Sequence, residues 1–288
     1  MAGLLIYGFI NSMTLMLIAL GFSLAFGIAG IANFAYGAFY VLAGFIVVSL
    51  LNTLGLPYPL VILCCLILMA GVGILMYWAV LLRIRGAALS EIIATFGLGV
   101  VILECLRGRG LIGFYNIRPF IKGGFEVAGV GLDYQRLFII GIALAVLLFL
   151  WIFSHHNRIG LGFRAVAQNE QTALCCGMNS DRLAMFSMAF SSALAAVAAF
   201  TILPLGTLMI DAGYDILIIA VGVGIIGGLG SNTGIILASL VLGYAQQIVA
   251  TYLGSHWMML VVFAAMLLIL LIKPSGLFGK LKELEERI

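Results

Sequence analysis

Long apolar runs broken by short polar or glycine-rich steps lay out the whole chain. They fall at about Leu4–Ile28, Phe34–Leu51, Leu60–Leu82, Ala88–Leu106, Leu137–Phe153, Leu183–Leu203, Ile216–Ile226, Ile235–Leu253 and Met258–Ile272. From Met1 to Leu82 there is no Asp, Glu, Lys, Arg or His. A helix needs about 20 apolar residues to cross a bilayer, and most of these runs are of that order. The short alternating strands of a membrane barrel are absent. The pattern predicts an all-α fold, a polytopic transmembrane helical bundle of about nine spans, within a range of about eight to ten. It is read as a single membrane domain over residues 1–288, with a polar loop at 158–182 and a short tail at 273–288.

Two glycine-rich breaks interrupt the runs. The first, GIAGIANFAYG, carries Asn33 and Tyr36 as its strongly polar groups, and Gly27, Gly30, Gly37 and Gly44 permit close backbone approach. Unwound backbone inside a membrane is tolerated only when buried in protein or lining a wet cavity. Asn33 is therefore either a translocation-path residue or one end of an interhelical hydrogen bond. The second break, GGLGSNTG, resembles the first and suggests a loose internal repeat. The fourth run contains Glu91, Thr95 and Glu104; Glu91 is expected at the interface and Glu104 in a local pair with Arg107. In the longest hydrophilic loop, Phe125, Val127 and Val130 among glycines predict a short hairpin. The closing GKLKELEERI is spaced as an exposed charged helix.

The polar island Arg158 to Arg182 stands out because only 9% of all residues are charged. A short helix is predicted in it. Asn169 caps the start, Glu170 suits the positive end of the helix dipole, Gly177 suits a left-handed terminus, and Asn179 or Ser180 caps the next helix. Val166, Ala173 and Gly177 are read as one side of it, with Glu170 and Gln171 on the wet side. Such a small capped helix between two spans has the form of a docking element; the plainer reading is a solvated loop.

Composition narrows the function. With 64% hydrophobic residues and a mean hydropathy of +1.26, the chain is a membrane protein. A net charge of +3 without basic runs argues against nucleic-acid binding. Cys64, Cys65, Cys105, Cys175 and Cys176 lack metal-type spacing and read as small apolar residues. No phosphate-binding loop is present, since Gly279-Lys280 is followed by Leu281 and has no suitable glycine upstream. No ladder of deep carboxylates marks a proton-driven pump. An embedded enzyme would have to use His155 or His156, which on one helix point about 100° apart. The chain is accordingly read as a non-enzyme with no cofactor and no metal, whose energy comes from elsewhere. No basic leader precedes the first run, which is expected to stay in the membrane.

Orientation follows the short-loop cations. Arg83, Arg85, Arg158, Arg164, Arg182, Lys273, Lys280, Lys282 and Arg287 are placed inside, with the N-terminus outside and the C-terminus in the cytoplasm. Arg107, Arg109, Arg118, Lys122 and Arg136 then lie outside, in a long loop where the rule has less force.

Four stretches in order, GFSLAFGIAGIANFAYGAFYVLAG, RAVAQNEQTALCCGMNSDRL, GGLGSNTGIILASLVLG and KPSGLFGK, resemble the permease subunits of branched-chain amino-acid ABC importers over nearly the whole chain. The resemblance implies a bacterial inner-membrane permease for branched-chain or related small amino acids. Its partners would be a second, homologous permease, two cytoplasmic ATPase subunits and an external solute-binding protein. It also implies that the loop carries a coupling helix that docks on the ATPase. The coupling residues would be Arg164, Gln168, Asn169, Glu170, Ala173, Gly177, Asp181 and Arg182, with Ala173 and Gly177 matching the family's Ala-x-x-x-Gly pattern. Cys175-Cys176 and Tyr36 depart from the family pattern, a histidine being common at the latter place. Asn33, Tyr36 and Thr95 are the candidate path residues. A stand-alone channel or secondary carrier is the competing reading.

Overall fold

The computed structural model describes residues 1–109, 123–127 and 129–279. The charged tail helix expected after Gly279, with Lys280, Lys282 and Arg287, lies outside the described residues, as do Arg118 and Lys122.

Helix α1 (Ala2–Ala29) is apolar on every side, as befits a helix that is given no wet face. It takes the centre of the bundle, with 72% of its most apolar window buried, whereas for α11 (Met258–Ile272) and the turn before it the figure is 6%. Gly30 ends α1 in the left-handed conformation, φ 68°, its N–H on the Phe26 carbonyl. Residues 31–35 lie outside any helix, and α2 (Tyr36–Thr53) then begins. Pro57 and Pro59 open α3 (Tyr58–Met76), where a missing N–H costs nothing. A π turn (Tyr77–Leu81) and a last turn (Leu82–Ile84) extend it. After α4 (Ala88–Gly108) comes the expected hairpin: β1 (Gly124–Val127) pairs antiparallel with β2 (Val130–Asp133), Phe125 opposite Leu132.

The second half holds α5 (Tyr134–His156), α6 (Arg158–Gln168), α7 (Glu170–Cys175), α8 (Ser180–Ile202), α9 (Ala212–Gly227), α10 (Asn232–Tyr252) and α11. Among the described residues eight helices are long and apolar enough to cross a membrane, and α9 is a shorter apolar helix beside them. Its length of about 24 Å falls short of a hydrocarbon core of about 30 Å. Irregular backbone precedes it, with Leu208 and Ile210 buried, which is where such backbone is tolerated. Together these elements form an all-α multi-pass membrane bundle.

The two glycine breaks pack on each other. Gly27 lies against Gly230, whose N–H donates to the Ser23 hydroxyl at 3.3 Å. The Leu277 and Phe278 N–H groups meet the Ile226 and Gly227 carbonyls at 2.9 and 3.1 Å, bringing the KPSGLFG segment to the same end. At the opposite end the Tyr7 hydroxyl donates to the Gly131 carbonyl of the hairpin at 2.7 Å.

Candidate functional site

The polar island forms two short helices rather than the one expected, and asparagines set their boundaries. Asn157 accepts from the Ile159 N–H at 3.1 Å, a cap the sequence reading passed over. Asn169 accepts from the Thr172 N–H and Asn179 from the Arg182 N–H, both at 3.0 Å, as foreseen. Gly177 adopts φ 78°, its N–H on the Leu174 carbonyl at 2.9 Å, and the Met178 N–H reaches the Ala173 carbonyl at 3.1 Å. That pair of bonds closes α7 by the left-handed route. Val166 is buried on α6, Ala173 is buried on α7, and exposed Gly177 lies beyond the helix end, so the three do not share one helical side. The break at Asn169 is the physical reason. Leu174, Gln171, Thr172 and both cysteines of the pair face outward.

Glu170 does not sit on the wet side as expected. Its Oε1 lies 2.6 Å from an Arg85 guanidinium nitrogen and accepts from the Ser180 hydroxyl at 2.5 Å. Arg85 also donates to Ser180 Oγ at 2.5 Å and to Tyr77 Oη at 3.2 Å, and it pairs closely with Asp181. The Tyr77 hydroxyl donates to Asp181 at 3.3 Å. Only 14% of the Arg85 side chain is exposed. Burial works against its charge, but Tyr77, Glu170 and Asp181 outweigh that and hold its pKa above the usual guanidinium value. Beside this cluster opens a cleft of about 470 Å³ lined by Arg85, Glu170, Leu174 and residues 177–181. Arg164, Gln168 and Arg182 are exposed and lie outside the ion-pair cluster.

Asn33 and Tyr36 lie in and just after the first break and Thr95 of α4 bonds to its backbone, each without solvent exposure; no direct bond joins the three side chains among the described residues. The bond from a neighbouring helix to the break belongs to Thr95 of α4, whose hydroxyl oxygen accepts from the Phe34 N–H at 3.2 Å. Asn33 instead accepts from the Ala35 N–H at 3.1 Å within its own turn. Asn33 Nδ2, Tyr36 Oη and Ser191 Oγ have no hydrogen-bond partner among the described residues. The Tyr36 hydroxyl packs against Gly21, and its ring meets Phe22 edge-on at 6.1 Å. Glu91 is buried and accepts from the Gly86 N–H at 2.8 Å, which orders the loop carrying Arg85. Glu104 pairs with Arg107 at 2.7 Å, as expected.

Residues 4–271 match the family model described as branched-chain amino acid transport system / permease component. The chain belongs to that permease family. BraD of Pseudomonas aeruginosa, a high-affinity branched-chain amino acid transport system permease protein, is 28% identical, over 96% of this chain and 95% of that protein. LivM of Escherichia coli, a permease protein of the same kind of system, is 23% identical, covering 92% of this chain and 68% of its own. The solved structure of PsaBC from Streptococcus pneumoniae in complex with Fab superposes with a TM-score of 0.53 at 15% identity, covering 96% and 94% of the two chains. That likeness shows a shared fold.

The permease therefore serves transport rather than catalysis, and its relatives include two differently named permease proteins, in keeping with a permease pair. His155 Nδ1 meets the Trp151 carbonyl at 2.8 Å on its own helix. Among the described residues no group of three His, Cys, Asp or Glu is placed to hold a metal. Cys65 is buried as a small apolar residue would be, whereas Cys105, Cys175 and Cys176 are exposed. Arg85, Tyr77 and Ser180 are the members of the polar cluster that sequence reasoning did not assign to the coupling site. The one available signal is that Arg85, with Arg83, closes the third apolar run and is placed on the same side of the membrane as Glu170 and Asp181, the two carboxylates of the island.

Proposed function

We propose that this chain is the membrane subunit of an ATP-driven ABC importer, moving branched-chain or related small neutral amino acids delivered by an external binding protein. It pairs with a second, homologous permease and docks on two cytoplasmic ATPases in a bacterial inner membrane. The end bearing α6, α7 and the glycine breaks faces the cytoplasm, with the N-terminus outside. Coupling runs through the loop from Arg164 to Arg182, with α7 as the docking helix and Gln168, Asn169, Glu170, Ala173, Gly177 and Asp181 as its frame.

The observation that carries this reading is α7 itself. It is a short helix capped at both ends, buried on one side through Ala173, and open on the other through Gln171, Thr172 and Leu174. A loop with no contact to make would not need two asparagine caps and a left-handed glycine. Asn33, Tyr36 and Thr95 are proposed to line the path once the first break opens: the unpaired Asn33 and Tyr36 polar atoms are costly in a membrane interior unless another state uses them, and Thr95 holds the break at Phe34. A neutral amino acid needs only weak, transient contacts there. A stand-alone channel or carrier is not favoured, since the relatives are permease components of transport systems. Gly177→Pro tests the docking role. ATP-dependent leucine uptake should disappear while the protein stays in the membrane, and normal uptake would refute it.

A further inference from the structure

Arg85 sits at a mechanical junction. It follows the last turn of α3 and grips Glu170, the first residue of α7, together with Ser180 and Asp181, the first two of α8. A guanidinium presents several N–H donors in a fixed fork, so this grip is directional in a way a lysine ammonium is not. Glu91, by taking the Gly86 N–H, fixes the backbone of the loop that carries it.

Further along, α3 and α8 touch a second time. At Gly73 an added Cβ would stand 2.6 Å from the Met188 carbonyl. The π turn Tyr77–Leu81 lies between these two attachment points, and its Tyr77 hydroxyl is itself bonded to Asp181 and Arg85. A π turn departs from the regular α-helical hydrogen-bond register, and such turns are rare and frequent at functional sites; here Tyr77 and Leu81 of the turn are buried in the core, so a change of its register is felt by the bundle. A displacement of α7 is thus delivered to a helix that is held at Gly73 on one side of its π turn and gripped at Arg85 on the other.

We propose that Arg85 is the positioning residue that converts movement of α7 into a rearrangement of the α3 π turn, and so links the ATPase-facing loop to the membrane-spanning helices. This rests on the coupling role of α7 proposed above. It makes Arg85 dispensable for docking but required for productive turnover.

The test uses the assembled importer, with partner permease, ATPases and binding protein, in proteoliposomes. Leucine is the probe, and leucine uptake and ATP hydrolysis are both normalised to assembled complex. In Arg85→Gln, assembly and hydrolysis should persist while leucine moved per ATP falls about tenfold, within the usual range of coupling between sites. Arg85→Lys should fall similarly, because an ammonium with three donors cannot hold the four acceptors Tyr77, Glu170, Ser180 and Asp181 in place. Asp181→Asn should fall less, and the double exchange Arg85→Glu with Glu170→Arg should recover part of the loss. An unchanged leucine-to-ATP ratio in Arg85→Gln would overturn the proposal, and so would failure of that variant to assemble with the ATPases. If instead the unmutated chain moves leucine without any ATPase, the coupling reading itself fails.

Discussion

Gly27 and Gly230 meet backbone to backbone: a Cβ on Gly27 would stand 2.8 Å from the Gly230 Cα, and one on Gly230 would stand 2.9 Å from the Gly27 Cα. The contact joins the two glycine breaks, more than 200 residues apart in sequence, at the end of the bundle that carries α7. Helices without bulky side chains at their meeting point gain close backbone packing, a main source of association in lipid. Gly27→Ala has to push the breaks apart and should destabilise the protein by about 1–3 kcal/mol, the usual range for overpacking. Thermal unfolding in detergent checks this, with Gly71→Ala, which meets nothing within 4 Å, as the comparison.

Thr95 holds the first break from the side of α4. Thr95→Val keeps the shape, leaves the Phe34 N–H with only the Ala32 carbonyl as its acceptor, and should cost about 0.5–1.5 kcal/mol, the usual net worth of one hydrogen bond. Thr95→Ser should restore most of it. The pair of variants separates a hydrogen-bond effect from a packing effect in the same unfolding measurement.

Glu170→Lys sets a second cation beside Arg85 and removes the acceptor shared with Ser180. Breaking a partly buried pair from one side leaves the other charge uncompensated, which is worse than having no pair. Uptake should fall to background with the protein still present in the membrane. Glu170→Gln, which keeps an acceptor, should lose less. Membrane content by blot and leucine uptake in the same cells read the two effects separately.

The end bearing α7 is proposed to face the cytoplasm, and the exposed pair Cys175-Cys176 makes this measurable. With Cys105 replaced by serine, a membrane-impermeant maleimide should label Cys175 and Cys176 in inverted vesicles and not in intact cells. Labelling from the outside of intact cells would reverse the orientation.

Much of the architecture is legible in the sequence because membrane helices announce themselves by length and apolarity alone. The run read from Leu4 to Ile28 appears as Ala2–Ala29, and the hairpin strands fall where Phe125 and Val130 stand. Caps were legible for the same local reason: Asn169, Asn179 and Gly177 act on backbone groups within a few residues. What sequence did not disclose is long-range. Glu170 was placed on the wet side because helical spacing reports which face is polar, not which distant cation turns that face inward. Its partner Arg85 is 85 residues away. An interhelical bond is one of the two roles the sequence suggests for Asn33, but its oxygen bonds within its own turn while Thr95 of α4 holds the break, a choice decided by how α4 packs against it. The continuous helical side through Val166, Ala173 and Gly177 failed because Asn169 stops one helix and starts another.

If this permease moves solute only on energy drawn through α7 from a partner, leucine uptake into proteoliposomes separates the chain alone from its full assembly. Uptake should appear only with the assembled partners, should require ATP, and should vanish in Gly177→Pro. Uptake by the chain alone at a comparable rate, indifferent to ATP and to Gly177→Pro, would refute the coupling role of α7.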